Sequence, residues 1–382
     1  MEINTKTKAG LITVVRVLRR LWTGGPASRA TLARELELDK STLTNVCGRL
    51  IKAGLIHRVR EGSVGRQGGR RPTLLDIRAA KGAVAGLEIQ PDRIRMVYTD
   101  LQGQTLMEET REILSSNRKL SAILDTVAEF FARDRDGLPV LGAGIAIPGI
   151  IDPWEGTILR STPLQMDEAF PLVEELERRL AVPVICDNDA NCCAWGSIFG
   201  IPDLGNRTSF AALLGDLRGS VLSTGFSLVL GGEEVYHGSG YSAGEFRSIF
   251  CPEGGDRQFA AAARPREEET LPAHTPADTM EELCRNTAFL VNMLNLNAVV
   301  IAGTLADERE TFSSTLQREI RRNWIYPPAP ECPVYCAPGG KHSSAFGAAA
   351  LFLRQLCRVP VLSRTGYGYD GSLFLRVFGS SL

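Results

Sequence analysis

Apolar residues recur at helical spacing in successive stretches up to Gly54 and then switch to the alternation of a strand. Over Gly10 to Trp22, residues Leu11, Val14, Val15, Leu18 and Leu21 share one face, and Gly24-Gly25-Pro26 stops the pattern. Ser28 is placed to cap a second helix over Arg29 to Leu36, with Leu32 and Leu36 on its inner face. Glu37-Leu38-Asp39 leads tightly into a third helix from Lys40, capped by Asp39, with Leu43, Val46, Leu50 and Ile51 as its stripe. Leu55 to Arg60 alternates apolar with polar, Glu61 to Gly69 supplies turn glycines, and Pro72-Thr73-Leu74-Leu75 returns as a second strand. Three helices and a two-stranded wing predict a winged helix-turn-helix over residues 1–78.

Beyond it the pattern is α/β. Gly82 to Ile89 and Ile94 to Thr99 read as a hairpin turning at Pro91-Asp92. Leu120 to Phe131 and Leu172 to Leu180 read as helices, and Val140 to Ile147 and Val182 to Cys186 as buried strands. Helix periodicity returns over Glu281 to Leu296, Phe312 to Trp324 and Ser344 to Leu356, around a strand at Ala298 to Ile301. Strands alternating with helices imply a largely parallel sheet covered on both faces. Pro252 to Met280, rich in Pro, Glu and Ala, reads as a mobile loop, and the tail from Arg358 to Leu382 has no assignable pattern.

Composition narrows the class. The chain has 382 residues, more than one core usually serves, so two or three domains are expected. No apolar run reaches the length of a membrane span, Met1 to Ala9 is polar, and Leu11 to Trp22 is broken by Arg16, Arg19 and Arg20, so neither a span nor a signal peptide is expected. Nine cysteines without an export signal imply reduced thiols and a cytoplasmic location. The formal net charge of -1 hides an asymmetry. Residues 1–78 hold 16 Lys and Arg against 6 Asp and Glu, which leaves the remainder strongly acidic.

That basic end matches double-stranded DNA as a partner. Lys40, Ser41, Thr42, Thr44 and Asn45 put hydrogen-bonding side chains at the front of the third helix, where base edges are read. Arg49, Lys52, Arg58 and Arg60 suit phosphates. Arg66-Gln67-Gly68-Gly69-Arg70-Arg71 combines glycines with Arg66, Arg70 and Arg71, which suits a narrow minor groove; a flexible linker with incidental charge is the open alternative. One module reads a half-site, so a homodimer or homotetramer on a palindromic operator is expected.

With these motifs in place, the chain resembles the amino-terminal module and body of ROK-family transcriptional repressors of sugar metabolism. Gly144-Ile145-Ala146-Ile147-Pro148-Gly149-Ile150-Ile151-Asp152 is similar to the family's G-x-G-x-PG-x-VD segment. Asp187-Asn188-Asp189-Ala190-Asn191 matches its DNDAN segment, and Tyr236-His237-Gly238 with Ala243-Gly244-Glu245 matches its YxG and AGE segments. The resemblance implies two lobes of the actin-like, ribonuclease-H-like kind with a sugar cleft between them. It divides the chain into lobes at 79–185 and 186–350, with 351–382 a helix end and tail. It also implies Gly149, Asn188, Asp189 and Glu245 as sugar contacts, with Asp189 at the position of the kinases' catalytic base. Asp187 and Asn191 are read instead as caps and turn formers.

The phosphate machinery departs from that pattern. Where the family's kinases carry D-x-GG-T, this chain has Glu88-Ile89-Gln90-Pro91-Asp92, and the second glycine-rich segment reads Ser223-Thr224-Gly225-Phe226-Ser227-Leu228. Without a glycine pair the backbone cannot approach phosphates, so no ATP turnover and no cofactor are expected. Glu245 is followed by Phe246-Arg247-Ser248 rather than a histidine, with only Cys251 nearby, so no zinc site is expected. Arg247 beside Glu245 suits an anionic sugar derivative; a side chain turned to solvent is the open alternative. His57 and His237 show no partner in the sequence, and Cys192-Cys193 reads as core. A sugar-responsive repressor is the leading reading; a sugar kinase with a fused DNA-binding module and a ligand-independent DNA-binding protein stay open.

Overall fold

The amino-terminal helices form where the apolar stripes place them. The computed structural model describes residues 8–61, 73–114, 119–132, 137–206, 209–218, 221–231, 234–251, 258–259, 276–360 and 371–381. Helix α1 (Lys8–Gly24) buries Leu11, Val14, Val15, Leu18 and Leu21. A short strand β1 (Ala27–Ser28) leads into α2 (Arg29–Glu35), whose Thr31 N–H is accepted by the Ser28 hydroxyl at 3.1 Å. In α3 (Lys40–Lys52), Asp39 Oδ1 accepts the Thr42 N–H at 2.8 Å, and such caps each contribute about 1 kcal/mol. Gly54 at φ +72 ends it in the left-handed conformation.

The wing is β2 (Ile56–Glu61) antiparallel to β3 (Thr73–Ile77). Its sheet has three strands rather than the two expected, because Ala27 and Ser28 pair with Leu75 and Leu74. Two residues are too short to register as a strand in sequence; the pairing exists because the chain entering α2 runs beside β3. The turn between β2 and β3, with Arg66, Arg70 and Arg71, lies outside the described residues.

Two five-stranded sheets form the body. The first collects β4 (Ala83–Ile89), β5 (Arg93–Thr99), β6 (Thr105–Glu112), then, after α4 (Leu120–Phe131), β7 (Val140–Ile147). The ribbon β8 (Ile150–Asp152) with β9 (Thr157–Arg160) and helix α5 (Leu172–Leu180) precede β10 (Val184–Asn188), and the order is β10-β7-β4-β5-β6. Helix α6 (Asp189–Gly200) crosses to the second sheet. That sheet uses β11 (Ser209–Arg218), β12 (Val221–Leu230), β13 (Val235–Tyr236), β14 (Ala298–Gly303) and β15 (Val334–Cys336) in the order β13-β12-β11-β14-β15. Helices α7 (Pro276–Leu294) and α8 (Arg309–Arg322) complete this lobe. The sheets are mixed, not largely parallel as expected: β4-β5-β6 and β11-β12-β13 are antiparallel meanders, because their turns are too short for a crossover helix.

Helix α9 (Ser343–Leu356) returns to the first lobe and lies on β4, β7 and α6. Its small residues permit that contact: a Cβ on Gly347 would stand 1.8 Å from the Cys192 carbonyl oxygen, and one on Gly86 1.9 Å from that of Ala345. The expected lobe boundary at 185/186 therefore cuts through β10, and 343–356 belongs physically with the first sheet. The loop expected over Pro252–Met280 also ends early, since α7 starts at Pro276. Much of the tail is now placed. Helix α10 (Ser372–Phe378) inserts Leu373, Phe374 and Phe378 into one continuous core with Leu11, Leu18 and Leu50 of the amino-terminal module and Phe352, Leu353 and Leu356 of α9. No helix among the described residues is long and apolar enough to cross a membrane.

Candidate functional site

Two helix N-termini carry the candidate chemistry. On α3, Lys40, Ser41, Thr44 and Asn45 are exposed, and Thr42 and Arg49 are partly so. Ser41 donates its hydroxyl to Asp39 Oδ1 at 2.6 Å, and Thr44 donates to the Lys40 carbonyl at 2.7 Å. Both hydroxyls then face outward as acceptors, while the exposed Asn45 presents an amide that can both donate and accept. Hydrogen bonds from Ser41 and Thr42 hold the Asp39 carboxyl well below the usual carboxylate range, so it stays ionised. Lys40, Ser41, Thr44 and Asn45 thus present polar groups to solvent at the front of α3.

The second N-terminus is that of α6, at the carboxyl ends of the parallel strands β4, β7 and β10, where open α/β sheets usually bind ligands. Asn188 caps it, accepting the Ala190 and Asn191 N–H groups at 2.9 and 3.3 Å and donating to the Gly149 carbonyl at 2.9 Å. Gly149 sits at φ +127, and a Cβ there would stand 2.4 Å from the Arg160 carbonyl oxygen, so only glycine fits. Beside them Ser161 donates to the Pro148 carbonyl at 2.6 Å.

Asp189 is buried, accepting the Ala190 N–H at 2.9 Å and Gln90 Nε2 at 3.0 Å. Burial and the nearby charge of Glu88 push its carboxyl up to about 6, against the two hydrogen bonds. Glu88 is itself buried and ion-paired to Arg95 at 3.0 Å. Glu245 stands open at the mouth, close enough for its charge to raise Asp189 slightly further. The four expected cleft residues, Gly149, Asn188, Asp189 and Glu245, thus lie together.

Asp187 proves to be the structural keystone. Its Oδ1 accepts the Asn188 N–H and Asn191 Nδ2, both at 2.8 Å, and its Oδ2 accepts Trp195 Nε1 at 3.0 Å and meets His237 Nε2 at 2.9 Å. His237, without a partner in the sequence, is therefore the clasp between β13 of the second lobe and β10 of the first. Burial lowers its pKa, but the hydrogen bond and charge of Asp187 outweigh that and raise it. A second clasp, Arg93 to Asp216 at 3.7 Å, joins the β4-β5 hairpin to β11.

With the geometry set, comparison with known proteins is decisive for the domain types. Residues 84–246 match the ROK family and residues 12–63 the MarR family. This chain carries a ROK family domain behind a MarR-type winged helix. A putative xylose repressor of Caldicellulosiruptor sp. (strain Rt8B.4) is 30% identical over 225 residues, 57% of this chain and 53% of that protein. The repressor Mlc of Escherichia coli (strain K12) is 28% identical over 194 residues, 50% of this chain and 46% of that protein. The chain's matches thus span about half the length of these curated relatives. A crystal structure of a ROK family transcriptional regulator, a homologue of E. coli Mlc, aligns over 98% of this chain and 100% of its own with a TM-score of 0.73 at 19% identity. A ROK glucokinase of Streptomyces griseus, solved with glucose and AMPPNP, aligns over 71% of this chain and 99% of its own with a TM-score of 0.54 at 20% identity. At such identities the likeness establishes the fold.

Within the ROK domain, Gln90 is the residue whose role the sequence did not reveal. Its amide reaches Asp189 and also Glu88 Oε1 at 3.4 Å, filling space beside the carboxylate. Sequence flagged the stretch as lacking a glycine pair; only the fold shows where its side chain goes, 99 residues away along the chain. Of the two asparagines, Asn188 caps α6, the part expected of Asn191, whereas Asn191 serves Asp187. Arg247 is exposed, and Cys251 donates its thiol to the Gln258 carbonyl at 3.3 Å. Cys192 and Cys193 are fully buried, as their apolar setting predicts, and burial pushes the Cys193 thiol up to about 12.

Proposed function

We propose that this chain is a sugar-responsive DNA-binding repressor whose ROK domain binds a sugar without phosphorylating it. The observation that carries this reading is the Gln90–Asp189 hydrogen bond at 3.0 Å. It ties up the carboxylate that the resemblance casts as a base, and a side chain occupies the turn where a phosphate-cradling backbone would need glycine. Asn188, Asp189 and Glu245 bind sugar hydroxyls, with the Gly149 backbone beside them. The front of α3, with Lys40, Ser41, Thr42, Thr44 and Asn45, reads base edges, while Arg49, Arg66, Arg70 and Arg71 hold phosphates and the minor groove. Two copies, as a homodimer or homotetramer, read a palindrome.

Relatives named xylose repressors make xylose the first ligand to test, beside glucose. Calorimetry with xylose, glucose and their phosphorylated forms should show one of them binding; equal affinity for neutral and phosphorylated forms would remove any role for Arg247 in anion preference. A gel shift on DNA upstream of the chain's own operon should show retention that the bound sugar changes. ATP consumption dependent on a hexose, in a chain that ignores every promoter fragment, would reverse the reading in favour of a kinase.

A further inference from the structure

Helix α6 begins at the cleft and ends against the DNA-binding module. Its N-terminus carries the Asn188 cap and Asp189, and residues 189–197 are all buried between α9 and the second sheet. Near its other end, Phe199 stacks on Trp22 of α1, with ring centroids 5.2 Å apart and planes 28° from parallel. Trp22 is fixed a second time, by its Nε1–H donated to the Leu101 carbonyl at 3.1 Å. Phe199 in turn leans on Phe346 of α9 at 6.2 Å. From Asn188 to Phe199 the helix rises about 16 Å, so a shift at the cap is delivered to the indole along a rigid element.

The joint around Trp22 lies near a gap in the packing between module and body. A narrow apolar void lies between the module and the body, lined by Leu18, Leu55, Ile77, Leu101, Phe374 and Phe378.

We propose that α6 and the Trp22–Phe199 stack are the mechanical connection through which an occupied cleft resets the DNA-binding module, with Trp22 as the positioning residue. This rests on the function proposed above. Closure of the lobes on a sugar moves the α6 cap, held by Asn188 and Gly149, and the ring stack carries that movement into α1. Trp22 is none of the residues proposed to contact sugar or DNA, so its loss should spare both affinities and remove their coupling.

The test uses the full chain carrying Trp22→Leu, with Trp22→Phe as the conservative variant. Operator affinity is measured by anisotropy with and without xylose, and xylose affinity by calorimetry. In Trp22→Leu the ratio of the two operator affinities should shrink by about tenfold toward unity while xylose affinity holds, and Trp22→Phe, which keeps the ring, should restore most of the ratio. Should Trp22→Leu fail to fold, Phe199→Leu removes the same stack from the other side and must show the same loss. A variant that responds to xylose as fully as the wild type overturns this inference alone. A wild-type chain that binds no operator, or whose operator affinity is changed by neither xylose nor glucose nor their phosphorylated forms, overturns the proposed function and this inference with it.

Discussion

Asp39 and Asp189 are both carboxylates at helix N-termini, yet their environments drive them in opposite directions. Asp39, on the module's surface, is held ionised by Ser41 and Thr42, and its helix turns its polar face to solvent. Asp189, inside the cleft, is pushed up to about 6 by burial and Glu88. The helix dipole favours an anion at both places, so the difference lies in water. The exposed terminus keeps its charge and its polar side chains in water. The buried one holds a carboxyl whose charged form is disfavoured by burial and by Glu88.

The sharpest way to break this comparison is to remove the residue that builds the buried terminus. Asp187→Ala leaves the donors of Asn191, Trp195 and His237 unpaired in the core, and urea denaturation should show a loss of about 3–5 kcal/mol. Loss below 1 kcal/mol would mean the cleft floor does not depend on this clasp.

The next effect is one of pH. Asp189 has its folded pKa raised from 3.8 to about 6, so the native state binds the extra proton and its contribution to stability is lost as pH rises through that window. Asp189→Asn should therefore be more stable than the wild type by on the order of 2 kcal/mol at pH 7, with the two converging near pH 4. Parallel stability curves at both pH values would show that the carboxyl is not strained.

Asn45→Ala probes the exposed terminus. Its operator affinity should fall by about 1–3 kcal/mol while thermal stability stays within about 0.5 kcal/mol, because no folded contact is lost. An equal drop on random DNA would reassign Asn45 from base reading to backbone positioning. The smallest effect is expected from Asn188→Ala, which removes a cap: about 1 kcal/mol of stability, accompanied by weaker xylose binding in calorimetry. A stability loss with xylose affinity intact would confine Asn188 to capping.

Much of the fold is legible before any coordinates. The stripe Leu43, Val46, Leu50 and the cap Asp39 place the start of α3 to the residue, and the runs Leu120–Phe131 and Val140–Ile147 coincide with an observed helix and strand. Local periodicity and capping chemistry suffice there, because each signal is contained in a few consecutive residues. The cleft is half legible. Its segments can be recognised, yet the cap of α6 falls to Asn188, expected only as a sugar contact, while the buried Asn191 bonds Asp187, since which amide faces the helix end depends on the turn's geometry.

Sequence by itself determined the three-helix module with its basic charge and the α/β character of the body, because hydrophobic spacing and turn residues act over short range; the segments that meet in the cleft were named only by the family resemblance. Tertiary structure alone decided that Gln90 reaches Asp189, that His237 clasps Asp187, and that α10 joins the core of a module that begins more than 350 residues earlier. These are contacts between distant stretches, fixed by how layers stack and which groups lose their water, and no local pattern encodes them.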